Sequence, residues 1–187
     1  MTQAERPLRA DAARNRARLL EVAYRTFATE GLTVSLDEIA RRAGVGPGTV
    51  HRHFPAKDDL VRAVVEERLW RLVDEGRALH ENQAPETALF DFMKSMVLTW
   101  GTGDHGLSFA LASEGTSVKR VLPQAESEFL GMLDDLLRAA QNAGVVRRDL
   151  SARDVKILLV GCQAMHSSDA TATPRLLDVV IEGLKPA

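Results

Sequence analysis

Apolar residues in this chain of 187 residues recur three and four positions apart, and no segment shows a convincing two-residue alternation. That period builds helices and leaves no sheet, so the expected fold is all-α. Leu19, Leu20, Ala23, Phe27 and Ala28 carry it between Asp11 and Thr29, with arginines on the opposite face, and Gly31 closes the segment. Later stretches repeat it with Leu60, Val64, Leu69, Leu72 and Val73, then with Leu89, Phe92, Met93, Met96, Val97 and Trp100. Hydrophobic residues at 45% supply a core, and 27% charged with only 5% aromatic residues suits helices built on Ala, Leu, Val, Glu and Arg.

Local signals place the helix ends. Ser35 followed by Glu38 reads as a capping box: the Ser35 hydroxyl accepts from the Glu38 N–H and the Glu38 carboxylate reaches back to the N–H of Ser35. A second helix is therefore expected from Leu36 to about Ala43. Gly44, Val45 and Gly46 interrupt it, and Pro47 starts a short third helix, because its missing N–H would be unpaired there in any case. That helix ends near Phe54 and Pro55. Asp58 and Asp59 favour the positive end of a fourth, reaching about Leu79. Further helices are expected from Pro85 through Trp100, over Leu107 to Ala112, Leu122 to Ala143, Ala152 to Met165, and Arg175 to Gly183 behind Thr173 and Pro174.

The corner between the second and third helices is demanding. Ala40 must be small where the next helix crosses it, Gly44 supplies a left-handed turn residue, and Val45 and Val50 fill the joint. A pair of helices serving only as core would not need a polar second member. This one offers Thr49, His51, Arg52 and His53, groups that reach phosphates and base edges in a major groove, and Gly48 lets its N-terminus approach closely. Lys57, a cation at a helix start, is unfavourable by about 0.3–1 kcal/mol unless an external anion offsets it. The net charge is −2, yet Arg6, Arg9, Arg14, Arg16, Arg18, Arg25, Arg41, Arg42 and Arg52 crowd the first third, which points to a DNA-facing end.

Ser35 to Leu60, with Ile39-Ala40, Ala43-Gly44-Val45, Gly48-Thr49-Val50, His53-Phe54 and Lys57, resembles the DNA-binding domain of TetR-family regulators. The resemblance implies an N-terminal helix-turn-helix domain over residues 1–56 and a larger helical effector-binding and dimerisation domain over 57–187. It implies that Pro47, Gly48, Thr49, His51, Arg52, His53 and Lys57 lie at double-stranded DNA, with Ser35 and Arg42 able to touch phosphates. A homodimer follows, paired through the last two helices with Leu158, Leu159, Cys162, Met165, Leu177, Val180 and Ile181 as its interface. A small hydrophobic or amphipathic effector is expected among Phe92, Met96, Trp100, Phe109, Phe129 and Met132, residues that otherwise read as core. The implied function is a repressor released from a palindromic operator. Three departures stand out: His51 replaces the usual tyrosine, making binding pH-sensitive below about pH 6.5; Ala56 replaces a capping residue, costing about 1 kcal/mol; and Gly46 replaces the usual serine.

Other features carry little chemistry. Gly101 to Gly106 fits G-x-G-x-x-G letter by letter, but a helix rather than a strand precedes it, so it reads as a flexible turn beside a pocket. His51 and His53 point to different faces and cannot share a metal, while His80, His105 and His166 read as surface or satisfied interior groups. Cys162 is the only cysteine, which allows no internal disulfide, fits a reducing cytoplasm, and reads as a packed thiol. The N-terminal segment does not resemble a secretory signal. No catalytic group, cofactor or metal is expected. The alternatives are a helical enzyme or carrier whose front motif is structural, and a protein that compacts DNA without sequence preference.

Overall fold

The computed structural model describes residues 5–99 and 122–186. Among these residues there are helices and turns and no strand, as the apolar period requires. The α-helices in chain order are α1 (Glu5–Glu30), α2 (Leu36–Ala43), α3 (Pro47–His53), α4 (Lys57–Asn82), α5 (Ala88–Lys94), α6 (Pro123–Asn142), α7 (Ala152–Ser168) and α8 (Thr173–Gly183). A π-helix, Ser95–Thr99, continues directly from α5. The Gly101–Gly106 segment and the helix expected over Leu107 to Ala112 lie outside the described residues.

Helix ends depart from expectation where a first or last turn is stabilised without apolar residues. Helix α1 begins at Glu5 rather than Asp11, with Pro7 inside its first turn, where a missing N–H costs no hydrogen bond. Helix α5 begins at Ala88 rather than Pro85, because the Thr87 and Ala88 amides first close a turn on the Ala84 carbonyl at 3.0 and 3.1 Å. The α5 helix does not continue unbroken to Trp100; it widens into the π-turn, which buries Met96 and Val97 together. Ser151 and Asp154 form a complete capping box on α7: the Ser151 N–H donates to Asp154 Oδ2 at 2.9 Å, and the Asp154 N–H donates to Ser151 Oγ at 3.4 Å.

Burial divides the described residues into two apolar clusters that share α4 and the start of α6. The first joins Leu19, Ala23 and Phe27 of α1, Ile39 and Ala40 of α2, and Val50 of α3 with Leu60, Val64 and Val65 of α4. The second joins Leu72 and Val73 of α4 with residues of α5, α6, α7 and α8, among them Phe92, Leu133, Leu159 and Leu177. Leu122 and Ala125, at the start of α6, seat in the first cluster. Helix α4 is thus the rod through both cores.

Close contacts fix that rod. A Cβ on Gly76 would collide with the Met132 side chain, so α4 and α6 cross closely there and a larger residue would have to displace Met132. Arg77 of α4 pairs with Glu128 of α6 at 2.7 Å. Arg68 is buried between α4 and α1 with its guanidinium 5.7 Å from the centre of the Tyr24 ring, a cation–π distance. Glu126, only 6% exposed, is neutralised by Lys156 across the α6–α7 seam.

Candidate nucleic-acid interface

The α2–α3 corner is built by backbone geometry that few residues tolerate. Gly44 sits at φ 62° and ψ 33°, in the left-handed region, where it ends α2. Its N–H donates to the Arg41 carbonyl at 3.1 Å, and the Val45 N–H donates to the Ala40 carbonyl at 3.0 Å. Ala40 is fully buried at the crossing, and Val45 and Val50 are buried in the joint. Arg18 of α1 braces the turn from outside, donating from a terminal guanidinium nitrogen to the Gly44 carbonyl at 3.2 Å.

Helix α3 turns a single side chain, Val50, into the core. Pro47, Gly48, His51, Arg52 and His53 are exposed and Thr49 is half-buried. A Cβ on Gly48 would meet nothing within 4 Å, so the outer side of the first turn is open. Phe54 caps the helix by donating its N–H to the Val50 carbonyl at 2.8 Å and is itself buried. The polar surface of α3 is therefore a solvent-facing ridge on a helix pinned at both ends.

Ser35 caps α2 through its hydroxyl, which accepts from the Glu38 N–H at 3.2 Å. The reciprocal half of the expected box is not made. The Glu38 carboxylate is taken instead by Arg41, at 2.8 and 2.7 Å, and by Arg42 at 2.7 Å. Arg42 also reaches back to Glu30 at the end of α1. These guanidinium contacts pull the Glu38 carboxyl down from 4.5 to about 2, and the Arg42 contact lowers Glu30 as well. Arg42 thus ties α2 to α1, between two carboxylates.

His51 Nε2 lies 2.9 Å from Asp37 Oδ1, linking α3 to the first turn of α2. Lys57 opens α4 beside α3 and is half-buried. The cap residue Ala56 has no side-chain acceptor, but Asp59 supplies half of a box by accepting from the Ala56 N–H at 3.0 Å. Asp37 and Glu30 went unread in the sequence as parts of this surface, and Arg18 was read only as one of a basic group. Asp37 lies on the same side of α2 as the capping signal, and that proximity was the available clue.

Family models match both parts of the chain: "Bacterial regulatory proteins, tetR family" over residues 19–64, and "Transcriptional regulator SbtR-like, C-terminal domain" over residues 84–186. The chain belongs to the TetR family. A TetR transcription regulatory protein from Mycobacterium vanbaalenii is similar at 50% identity and a TM-score of 0.77, with 96% of this chain and all of that one covered. The TetR regulator SCO0520 from Streptomyces coelicolor is 31% identical, with a TM-score of 0.73, over 92% of this chain and 99% of that one. Curated HTH-type transcriptional regulators of Staphylococcus aureus are 41% identical over 63 residues, 33% of this chain, and the match spans only about a third (34%) of their length. The TetR family consists of DNA-binding transcription regulators and not enzymes, and α2 and α3 are its helix-turn-helix.

The larger part of the regulator gathers Phe92, Met96, Phe129 and Met132 in one buried cluster, with the Phe92 and Phe129 ring centres 6.3 Å apart. Trp100 and Phe109 lie outside the described residues. Of the residues expected at a dimer interface, Leu159, Cys162, Leu177 and Ile181 are buried in the protomer's own core, while Leu158, Met165 and Val180 are half-buried against it. The first four are corrected to core residues: a side chain already enclosed has no surface to give a partner. The apolar residues that α7 and α8 turn outward are Ile157, Val160 and Val179, at 68%, 55% and 63% exposure. Burial pushes the Cys162 thiol up, consistent with a packed and unreactive group. His166 is buried, and among the described residues its Nδ1 has no hydrogen-bond partner. No described helix is long and apolar enough to cross a membrane.

Proposed function

We propose that this regulator is a cytoplasmic homodimeric repressor that grips a palindromic operator with two copies of α3 and is released by a small effector. The observation that carries this reading is the outward face of α3, a helix held by Val50 alone and offering Thr49, His51, Arg52 and His53 to solvent. Pro47, Gly48 and Lys57 border that face, and Ser35 supports it as the cap of α2. Two such helices read adjacent major grooves when they stand about 34–36 Å apart, so the spacing between protomers decides whether DNA is bound.

The division of labour proposed is residues 1–56 for DNA and residues 57–187 for effector and partner. Helix α4 takes part in both apolar clusters, which supports it as the rod that transmits a change in the larger one to the smaller. The proposed effector is hydrophobic or amphipathic and lodges beside Phe92, Met96, Phe129 and Met132, with Trp100 and Phe109 from the same stretch of chain. Gln163 and His166 add polar groups to the buried face of α7, which suits an effector that carries a hydrogen-bonding group. To release DNA it must bind the spread dimer more tightly than the gripping one. For the partner, Ile157, Val160 and Val179 provide the uncovered apolar face.

Selection from random duplexes at several salt concentrations tests the reading. A repressor of this kind enriches one inverted repeat, whereas equal affinity for every duplex would leave compaction without sequence preference as the function. Arg52→Ala is expected to weaken operator binding roughly tenfold or more while the protein melts as before. Unchanged affinity would take Arg52 out of the interface.

A further inference from the structure

Asp37 is an acidic residue on the very surface that must meet a polyanion, and left alone it would repel phosphate. It is not alone: its Oδ1 stands 2.9 Å from Nε2 of His51, the exposed imidazole of the reading helix. Both helix ends favour an ion pair there. Asp37 lies in the first turn of α2, where a carboxylate is stabilised, and His51 lies in the last turn of α3, where a cation is. The other charged or titratable groups on these elements are Arg52 and His53 on α3 itself, Glu38, Arg41 and Arg42 on α2, and Lys57, Asp58 and Asp59 in the first turn of α4. Glu38 is occupied by the two arginines, and among the described residues no hydrogen bond or ion pair joins any of these groups to His51.

A histidine ring has two nitrogens, and the partner of one decides the state of the other. A carboxylate can only accept, so the contact requires a proton on Nε2. Nδ1 is then the ring atom left for DNA. In the neutral ring it is an acceptor, suited to the amino hydrogens of adenine N6 or cytosine N4; in the protonated ring it is a donor, suited to a phosphate oxygen or the acceptor edge of guanine. We propose that Asp37 is a specificity-determining residue of the DNA interface: by holding His51 through Nε2 it makes Nδ1 the reading atom, and the group that His51 recognises in the operator changes with the protonation of the ring. This inference rests on the DNA-binding reading of α3 and adds to it a tautomer, a second residue and a dependence on pH. A tyrosine at the same position could not behave so, since its hydroxyl keeps its proton across the same range.

The test has two parts on the intact protein. Nitrogen-15 NMR of the imidazoles at about pH 7.5 to 8 reports the tautomer of His51 without DNA. The expected result is Nε2–H in the wild type and in Asp37→Asn, whose amide oxygen still accepts, and a mixture of tautomers in Asp37→Ala. Binding to the selected operator, followed from about pH 8 to about 5.5, is expected to tighten toward acid. That acid limb should vanish in His51→Ala. Selection repeated at each end of that range should change the preferred base at one position per half-site for the wild type and not for His51→Ala.

A wild-type ring protonated at Nδ1, or an Asp37→Ala variant with the wild-type tautomer, overturns the proposal. So does an operator whose pH profile is the same in the wild type and in His51→Ala. If the tautomers are as expected but no duplex is ever enriched, the DNA-binding reading fails and takes the proposal with it, whereas an enriched operator indifferent to Asp37 sinks the proposal alone.

Discussion

Charge at the helix-turn-helix is arranged so that one residue does two jobs. Glu38 donates its backbone N–H to the Ser35 hydroxyl and accepts guanidinium hydrogen bonds from Arg41 and Arg42, the second of which also holds Glu30. Because its folded value is depressed, the contribution of these pairs is complete above the ordinary carboxyl value of 4.5 and is lost as pH falls toward about 2. Glu38 is half-buried and its partners are exposed, so the effect is local rather than a large share of global stability. The expected outcome of a carbon-13 NMR titration of side-chain carboxyls is a Glu38 midpoint near 2, well below the other exposed glutamates. A midpoint near 4.5 would mean that the two arginines swing free in solution.

Helix α4 poses the main question at the scale of elements, since its packing decides whether the two cores move together. Gly76 faces α6: a Cβ placed there would collide with Met132 Sδ and lie 2.8 and 2.9 Å from its Cγ and Cε. Replacing a helix-interior glycine with alanine gains about 0.5–1 kcal/mol of backbone entropy. Forcing a methyl group into a closed seam costs about 1–3 kcal/mol, and Met132 is 3% exposed, with little room to retreat. The clash wins, so Gly76→Ala is expected to lower stability by about 1 kcal/mol in urea unfolding, and Gly76→Ala with Met132→Ala should recover part of the loss that the two single changes sum to. A more stable Gly76→Ala protein would show that the α4–α6 seam opens at little cost. The same seam carries the Arg77–Glu128 pair, and its rigidity is what would let a displacement in the second core reach Leu60 and Val64 in the first.

At the scale of the molecule, three of the four exposed large hydrophobic side chains among the described residues lie on the outer face of α7 and α8. Ile157, Val160 and Val179 together leave an apolar surface that a lone protomer exposes to water, and burying it against a symmetry mate would remove a cost of about 25 cal/mol per Å². Val160→Arg, a residue 55% exposed and outside the core, should leave the fold intact and shift the protein from dimer to monomer in sedimentation. Operator binding should then fall sharply, because two separate reading helices lose the advantage of being linked. A Val160→Arg protein that stays dimeric would place the partner surface elsewhere.

Much of this architecture was legible in the amino-acid sequence because it depends on residues close together in the chain. The helical class, the left-handed Gly44, the Ser35 cap, the start of α3 at Pro47 and its polar outer face all follow from backbone preferences and from an apolar period that needs no knowledge of distant residues. Long-range choices were not legible. Helix α7 is apolar on nearly every side, so its pattern has no phase, and only packing against α6 and the π-helix turned Leu159 and Cys162 inward and left Ile157 and Val160 outside. Glu38 had a local partner in the Ser35 N–H, yet two arginines, one of them anchored on α1, outcompeted it, because paired charges bind a carboxylate more strongly than one neutral amide. The pairing of Asp37 with His51 joins residues of two helices whose relative angle is set by the Gly44 corner, and no rule of spacing along the chain encodes that angle.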